Sequence, residues 1–192
     1  MLVYFFGSGS ADGTRDMKAV LGGKGANLAE MTNLGVPVPP GFTIACSACL
    51  DYLRGGGTSE ALQTEIQTNL ARLEKTSGRG FGDPKNPLLV SVRSGAPVSM
   101  PGMMETILNL GLNDLTVTGL ATASGNARFA YDSYRRFIQM YGDVVLGVAH
   151  HRFEQLLATR RLAAGVESDS ELDEQQLRGL VGEYKTLVRA TT

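Results

Sequence analysis

Between Leu88 and Asn113 the chain reads LLVSVRSGAPVSMPGMMETILNLGLN, an order of residues that leaves few folds open. A short apolar run ends in Arg93, a loop with prolines, glycines and methionines follows, and a second apolar run closes the segment. Core packing accounts for the two apolar runs. It does not account for a single cation delivered to the edge of a glycine-bearing loop. A strand that presents a guanidinium there can hold phosphate, because the planar fork offers paired donors to neighbouring oxyanions. Leu88 to Val92 is therefore expected to be a strand, and Thr106 to Leu112 a second one.

The rest of the chain sorts into two parts. Val3 to Phe6 reads as a first strand, followed by GSGSADG from Gly7 to Gly13 as a loop. A helix is expected from Ala26 to Leu34, where Leu28, Met31 and Leu34 recur near helical spacing before Gly35. VPVPPGF is a rigid turn, since its prolines cannot donate to a ladder. Thr43 to Ala45 reads as a strand and Ser47 to Arg54 as a short helix closed by three glycines. Thr58 or Ser59 caps the next helix, with Leu62, Ile66, Leu70 and Leu73 as its apolar stripe. After about Asn113 helical patterns take over. Asn126 to Gly147 carries Phe129, Tyr134, Phe137, Ile138, Tyr141 and Val145 on one side, and Phe153 to Leu162 and Asp173 to Ala190 follow. The expected class is α+β, with a mixed sheet and helices over 1–113 and a helical subdomain over 114–192.

Composition removes several functions. A formal net charge of -1 and a pI near 6.1 argue against a broad nucleic-acid or anionic-membrane surface. The opening MLVYFF lacks the basic flank and apolar length of a signal peptide, so a cytoplasmic protein is expected. Cys46 and Cys49 have the spacing of a redox pair or half a zinc site. With no second cysteine pair, and with His150 and His151 far along the chain, the expected reading is two half-buried thiols where a strand gives way to a helix. The two histidines are expected to be exposed at a helix start.

Three segments could carry chemistry. Leu21-Gly22-Gly23-Lys24-Gly25 stands before a predicted helix, where free amides attract anions and a lysine adds a mobile charge. Its spacing departs from the G-x-x-x-x-G-K-[ST] phosphate loop. Read alone, it equally suits a glycine turn with a solvated lysine. Arg93 alone suits a structural ion pair as well as a phosphate clamp. The loop Ser94 to Glu105 has the irregular backbone and adaptable methionines of a water-excluding lid, or of a surface loop packed on helices. Glu105 by itself is a poor magnesium site.

Together, LGGKGANLAEM, GVPVPPGFTI, PLLVSVRSGAPVSMPGMMETILNLGLND and GNARFAYDSYRRFIQMYGDVV resemble the N-terminal part of the pyruvate, phosphate dikinase family. The resemblance runs from about Val3 to Val148 and continues weakly to the end. It implies the first subdomain of an ATP-grasp fold, with ATP and Mg²⁺ as cofactors. Lys24 and Arg93 would contact the nucleotide phosphates, and Gly102 and Met104 would belong to a loop covering them. In that family the β-phosphoryl of ATP passes to a histidine on a swivelling domain, and orthophosphate takes the γ-phosphoryl. The phosphohistidine then converts pyruvate to phosphoenolpyruvate on a barrel domain, releasing AMP and diphosphate overall. The partners implied are ATP and those other domains, within a homo-oligomeric enzyme, with no nucleic acid or membrane.

The departures weigh as much. The second ATP-grasp subdomain, which carries the acidic metal ligands, has no counterpart here, and neither does the phosphoryl-carrying histidine. Metal ligands are therefore expected outside this chain, and the chain alone is expected to be inactive. Glu105 stands where the family often has Asp, and Cys46 where Thr is common. Arg128, Arg135 and Arg136 would form either a docking face for other domains or an ordinary solvated face. The alternative function is a short, non-catalytic binding or regulatory module with the same fold.

Overall fold

The structure, a computed structural model, describes residues 1–95 and 106–192. It is α+β, and its contacts divide it into two compact units, 1–79 with 94–104 and 80–93 with 105–192. The second strand pair packs on a helix of the second unit.

In the first unit, β1 (Val3–Gly7) is the middle strand of an antiparallel sheet, flanked by β2 (Ser10–Ala11) and β3 (Gly41–Ile44). Ser8 and Gly9, both with positive φ, turn β1 into β2, so the expected GSGSADG loop is in part a tight hairpin. Helices α1 (Lys18–Asn33) and α3 (Glu60–Ser77) lie against β1. Ser59 caps α3 by accepting from the Leu62 amide. Leu62 and Leu73 of the expected stripe are buried, while Ile66 and Leu70 are half-buried. Arg72 lies 4.0 Å over the Phe5 ring and pairs with Asp12, whose carboxylate accepts from the Phe5 amide. Between β3 and α3 the chain makes α2 (Cys46–Asp51) and a wider turn over Tyr52–Gly56.

In the second unit, β4 (Val90–Arg93) pairs antiparallel with β5 (Thr106–Leu110), Arg93 facing Thr106. The register slips between Val90 and Val92, and Asn109 takes φ 60° in the bulge, a conformation asparagine tolerates. Helices α4 (Thr116–Ser124), α5 (Ala127–Val144), α6 (His150–Ala164) and α7 (Glu174–Thr191) build the core. Tyr184 of α7 is fully buried and meets Phe153 edge-to-face at 4.9 Å, donating its hydroxyl to the Phe153 carbonyl. Burial pushes that phenol up to about 12, so it remains a donor. No helix among the described residues is long and apolar enough to cross a membrane.

The long helix corrects two expectations. Phe129 and Val145 are exposed, whereas Ala130, Tyr134 and Ile138 are buried together with Arg135. Arg135 is only 3% exposed and reaches Asp132 at 2.8 Å and Asp169 at 3.0 Å. Arg128 donates to the carbonyls of Leu172 and Asp169. These two arginines tie α5 to the 169–172 turn, which removes them from a docking face. Arg136 stays exposed and pairs with Asp132.

Because its carboxylate partners keep some solvent, removing Arg135 costs less than the ~3–5 kcal/mol of a fully enclosed pair. Arg135→Ala is expected to lower stability by about 2–3 kcal/mol in urea unfolding, and Arg136→Ala by less than about 0.5 kcal/mol. Equal losses would refute this assignment.

At the other end of the chain, Glu65 of α3 accepts from the amides of Leu2 at 2.6 Å and Val3 at 2.8 Å. Those bonds hold its carboxyl below the usual glutamate range. The resulting stabilisation is complete above that range and is lost as pH falls through the lowered native value. Glu65→Gln is expected to flatten the acid limb of the urea midpoint plotted against pH; an unaltered limb would exclude Glu65 as its source.

Candidate functional site

Helical structure begins at Lys18, eight residues before the expected start at Ala26. The amides of Val20 and Leu21 both bond to the Met17 carbonyl, and Leu21 buries its side chain. The GGKG motif thus lies inside α1 and straddles a break in it. Gly22 has φ 69° and ψ 169°, a combination that is essentially confined to glycine. After the break the helix resumes and turns Gly25 onto β3, where an added Cβ would stand 2.7 Å from Thr43 Cγ2. A glycine is needed at both places, for conformation at Gly22 and for clearance at Gly25.

Lys24, between these glycines, is half-buried. Its Nζ donates to the Ser94 carbonyl across 3.5 Å, a long hydrogen bond that occupies one of three ammonium donors. Among the described residues it has no carboxylate within ion-pair distance. Ser94 follows Arg93 directly in the chain.

Arg93 closes β4 and is exposed. Its Nε donates to Ser91 Oγ at 3.4 Å, two residues back on the same strand face. Among the described residues no carboxylate claims its guanidinium, so the structural ion pair is not found there. Two cations therefore have donors open to an anionic ligand. Gly102, Met104 and Glu105 lie outside the described residues.

The second unit holds a charged cluster with internal partners. A cavity of about 500 Å³ in the second unit is lined in part by Arg135, Arg136, His150 and Arg161. Each of these pairs with a carboxylate, Asp132, Asp143 or Asp169. His150 is exposed as expected, and its Nδ1 lies 2.9 Å from Asp143. Among the described residues no cluster of three His, Cys, Asp or Glu side chains could hold a metal ion.

The importance of Gly22 escaped sequence reasoning, which took the glycine pair for a turn ahead of a helix. Its signal was present in Lys18-Ala19-Val20-Leu21, a run able to form a helical turn of its own.

Residues 18–79 match the family described as "Pyruvate phosphate dikinase, AMP/ATP-binding domain". Over 187 residues the chain is 54% identical to "Pyruvate, phosphate dikinase" of Rhizobium meliloti (strain 1021), covering 97% of this chain and 21% of that protein. The protein of the same name from Giardia intestinalis is 51% identical over 193 residues, covering 99% and 22%. "Pyruvate, phosphate dikinase, chloroplastic" of Mesembryanthemum crystallinum is 53% identical over 186 residues, covering 96% and 20%. The chain thus spans about a fifth of the length of these curated relatives.

Substituting Gly22 forces a side chain into a backbone region that costs about 1–3 kcal/mol. Gly22→Ala is expected to lose stability within that range of about 1–3 kcal/mol in urea unfolding. A neutral Gly22→Ala would show that the break in α1 is not a glycine requirement.

Proposed function

We propose, for a chain that belongs to the pyruvate, phosphate dikinase family, that it supplies part of the nucleotide-binding site of such an enzyme. In this reading residues 1–113 are part of the first subdomain of an ATP-grasp fold and 114–192 form an all-helical subdomain. The carrying observation is the Lys24 ammonium held at the Ser94 carbonyl, beside Arg93 in the chain. Both cations have donors to spare, which is the state a phosphate-binding group needs before its ligand arrives.

Lys24 would neutralise one nucleotide phosphate as a point charge, and Arg93 would grip another through two parallel N–H donors. Gly102 and Met104 would cover the phosphates and keep water away. When bound, Mg²⁺ supplies charge neutralisation to the phosphate oxygens; its ligands are proposed to lie outside this chain. The full reaction would convert ATP, pyruvate and phosphate to AMP, phosphoenolpyruvate and diphosphate through a phosphohistidine. That histidine, the second ATP-grasp subdomain and the pyruvate-binding barrel would be partner domains of a homo-oligomeric enzyme, with the cytoplasm as its proposed compartment.

The test is a chimera in which this chain replaces the matching fifth of the Rhizobium meliloti dikinase. A charged hydrogen bond of ~1.5–3 kcal/mol corresponds to about 10- to 100-fold in kcat/KM for ATP. Arg93→Ala and Lys24→Ala should each cause a loss of that order, and Arg93→Lys should not restore the paired contact. The isolated chain should form no phosphoenolpyruvate in the same assay. Full activity in Arg93→Ala, or turnover by the chain alone, would overturn the proposal.

A further inference from the structure

The cysteine pair is not used by this reading; Cys46 is half-buried as expected, whereas Cys49 is exposed. Cys46 is the first residue of α2 and Cys49 the fourth, both free thiols. Cys46 is partly accessible and Cys49 is exposed, whereas Ala45 and Ala48 carry the buried contacts of this turn. Residues three apart on a helix lie on one face. Helical rise and radius put their Cα atoms about 5 Å apart, inside the ~4.4–6.8 Å span that a disulfide bridges. The turn is anchored from outside by the Ala45 amide, which donates to the Leu2 carbonyl, and is closed within by the Ala48 amide donating to the Ala45 carbonyl. It stands three residues beyond Thr43, on which the α1 backbone rests.

We propose that Cys46 and Cys49 form a reversible dithiol–disulfide pair, a modification site whose co-substrates are small disulfides of the glutathione class. The Cys49 thiolate attacks one sulfur of the small disulfide. A Cys49–S bond forms, the S–S bond breaks, and one small thiol leaves with a proton. The Cys46 thiolate then attacks the Cys49 sulfur, forming the Cys46–Cys49 bond and releasing the second small thiol. Two protein thiols are oxidised and one small disulfide is reduced to two thiols. Ring closure is favoured because the second thiol is already within one helical turn of the mixed disulfide.

The reduced 192-residue chain is incubated with oxidised glutathione and read by intact mass and maleimide labelling, with circular dichroism to follow the fold. Loss of both reactive thiols is expected, with a mass lower by two hydrogens and no glutathione retained. Cys46→Ser should stop at a stable glutathione adduct on Cys49, and Cys49→Ser should not form the intramolecular bridge. Reducing agent should return the wild type to its starting mass and spectrum. Retained glutathione on the wild type, a disulfide-linked dimer, or thiols that stay reactive would each overturn the proposal.

Discussion

Gly22 holds a backbone conformation that a side chain would block, and the first unit is arranged around the consequence. The break lets one turn of helix bury Leu21 while the remaining turns run down onto β3. Without the change of direction, Gly25 would not close on Thr43, and the Lys24 stem would leave the helix at a different angle. A backbone constraint at one residue thus sets the position of a charge two residues later. The strain is local, and burial of Leu21, Ala26 and Ala29 on either side offsets it.

The cations of this chain divide by their environment. Arg135 is buried, so it needs carboxylates at hydrogen-bond distance; Asp132 and Asp169 meet that need and fix α5 to the turn beneath it. Lys24 and Arg93 keep solvent and make weak hydrogen bonds to oxygens that carry no charge. The first arrangement contributes stability and has no donors to spare for a ligand. The second contributes little to stability and leaves donors available. That contrast, more than any cavity, separates the candidate site from the charged cluster of the helical unit.

Much of the fold was legible in local sequence. The Ser59 cap, the strands near Val3 and Val90 and the helix that became α7 follow from short-range pattern, because the forces that set them act within a few residues. The start of α1 was misjudged, since glycines inside a helix look like punctuation until their φ and ψ are known. Phe129 and Arg135 were assigned to the wrong environments for a related reason. Helical spacing predicts which residues share a face, but the face that meets the core depends on which elements arrive there.

The candidate site was read in two different ways. That Lys24 and Arg93 deserved notice was clear from residue type and motif, because GGKG and a strand ending in arginine are chemical statements in themselves. Their standing as unclaimed cations, and the meeting of Lys24 with the Ser94 carbonyl seventy residues along the chain, were decided only by tertiary structure. The sequence by itself determined the α+β class and the strand and helix succession, and it singled out the residues proposed to bind phosphate, since each rests on local chemistry. Tertiary structure alone decided which arginines were consumed by internal ion pairs and which thiol stood exposed, because burial and pairing belong to contacts between distant segments.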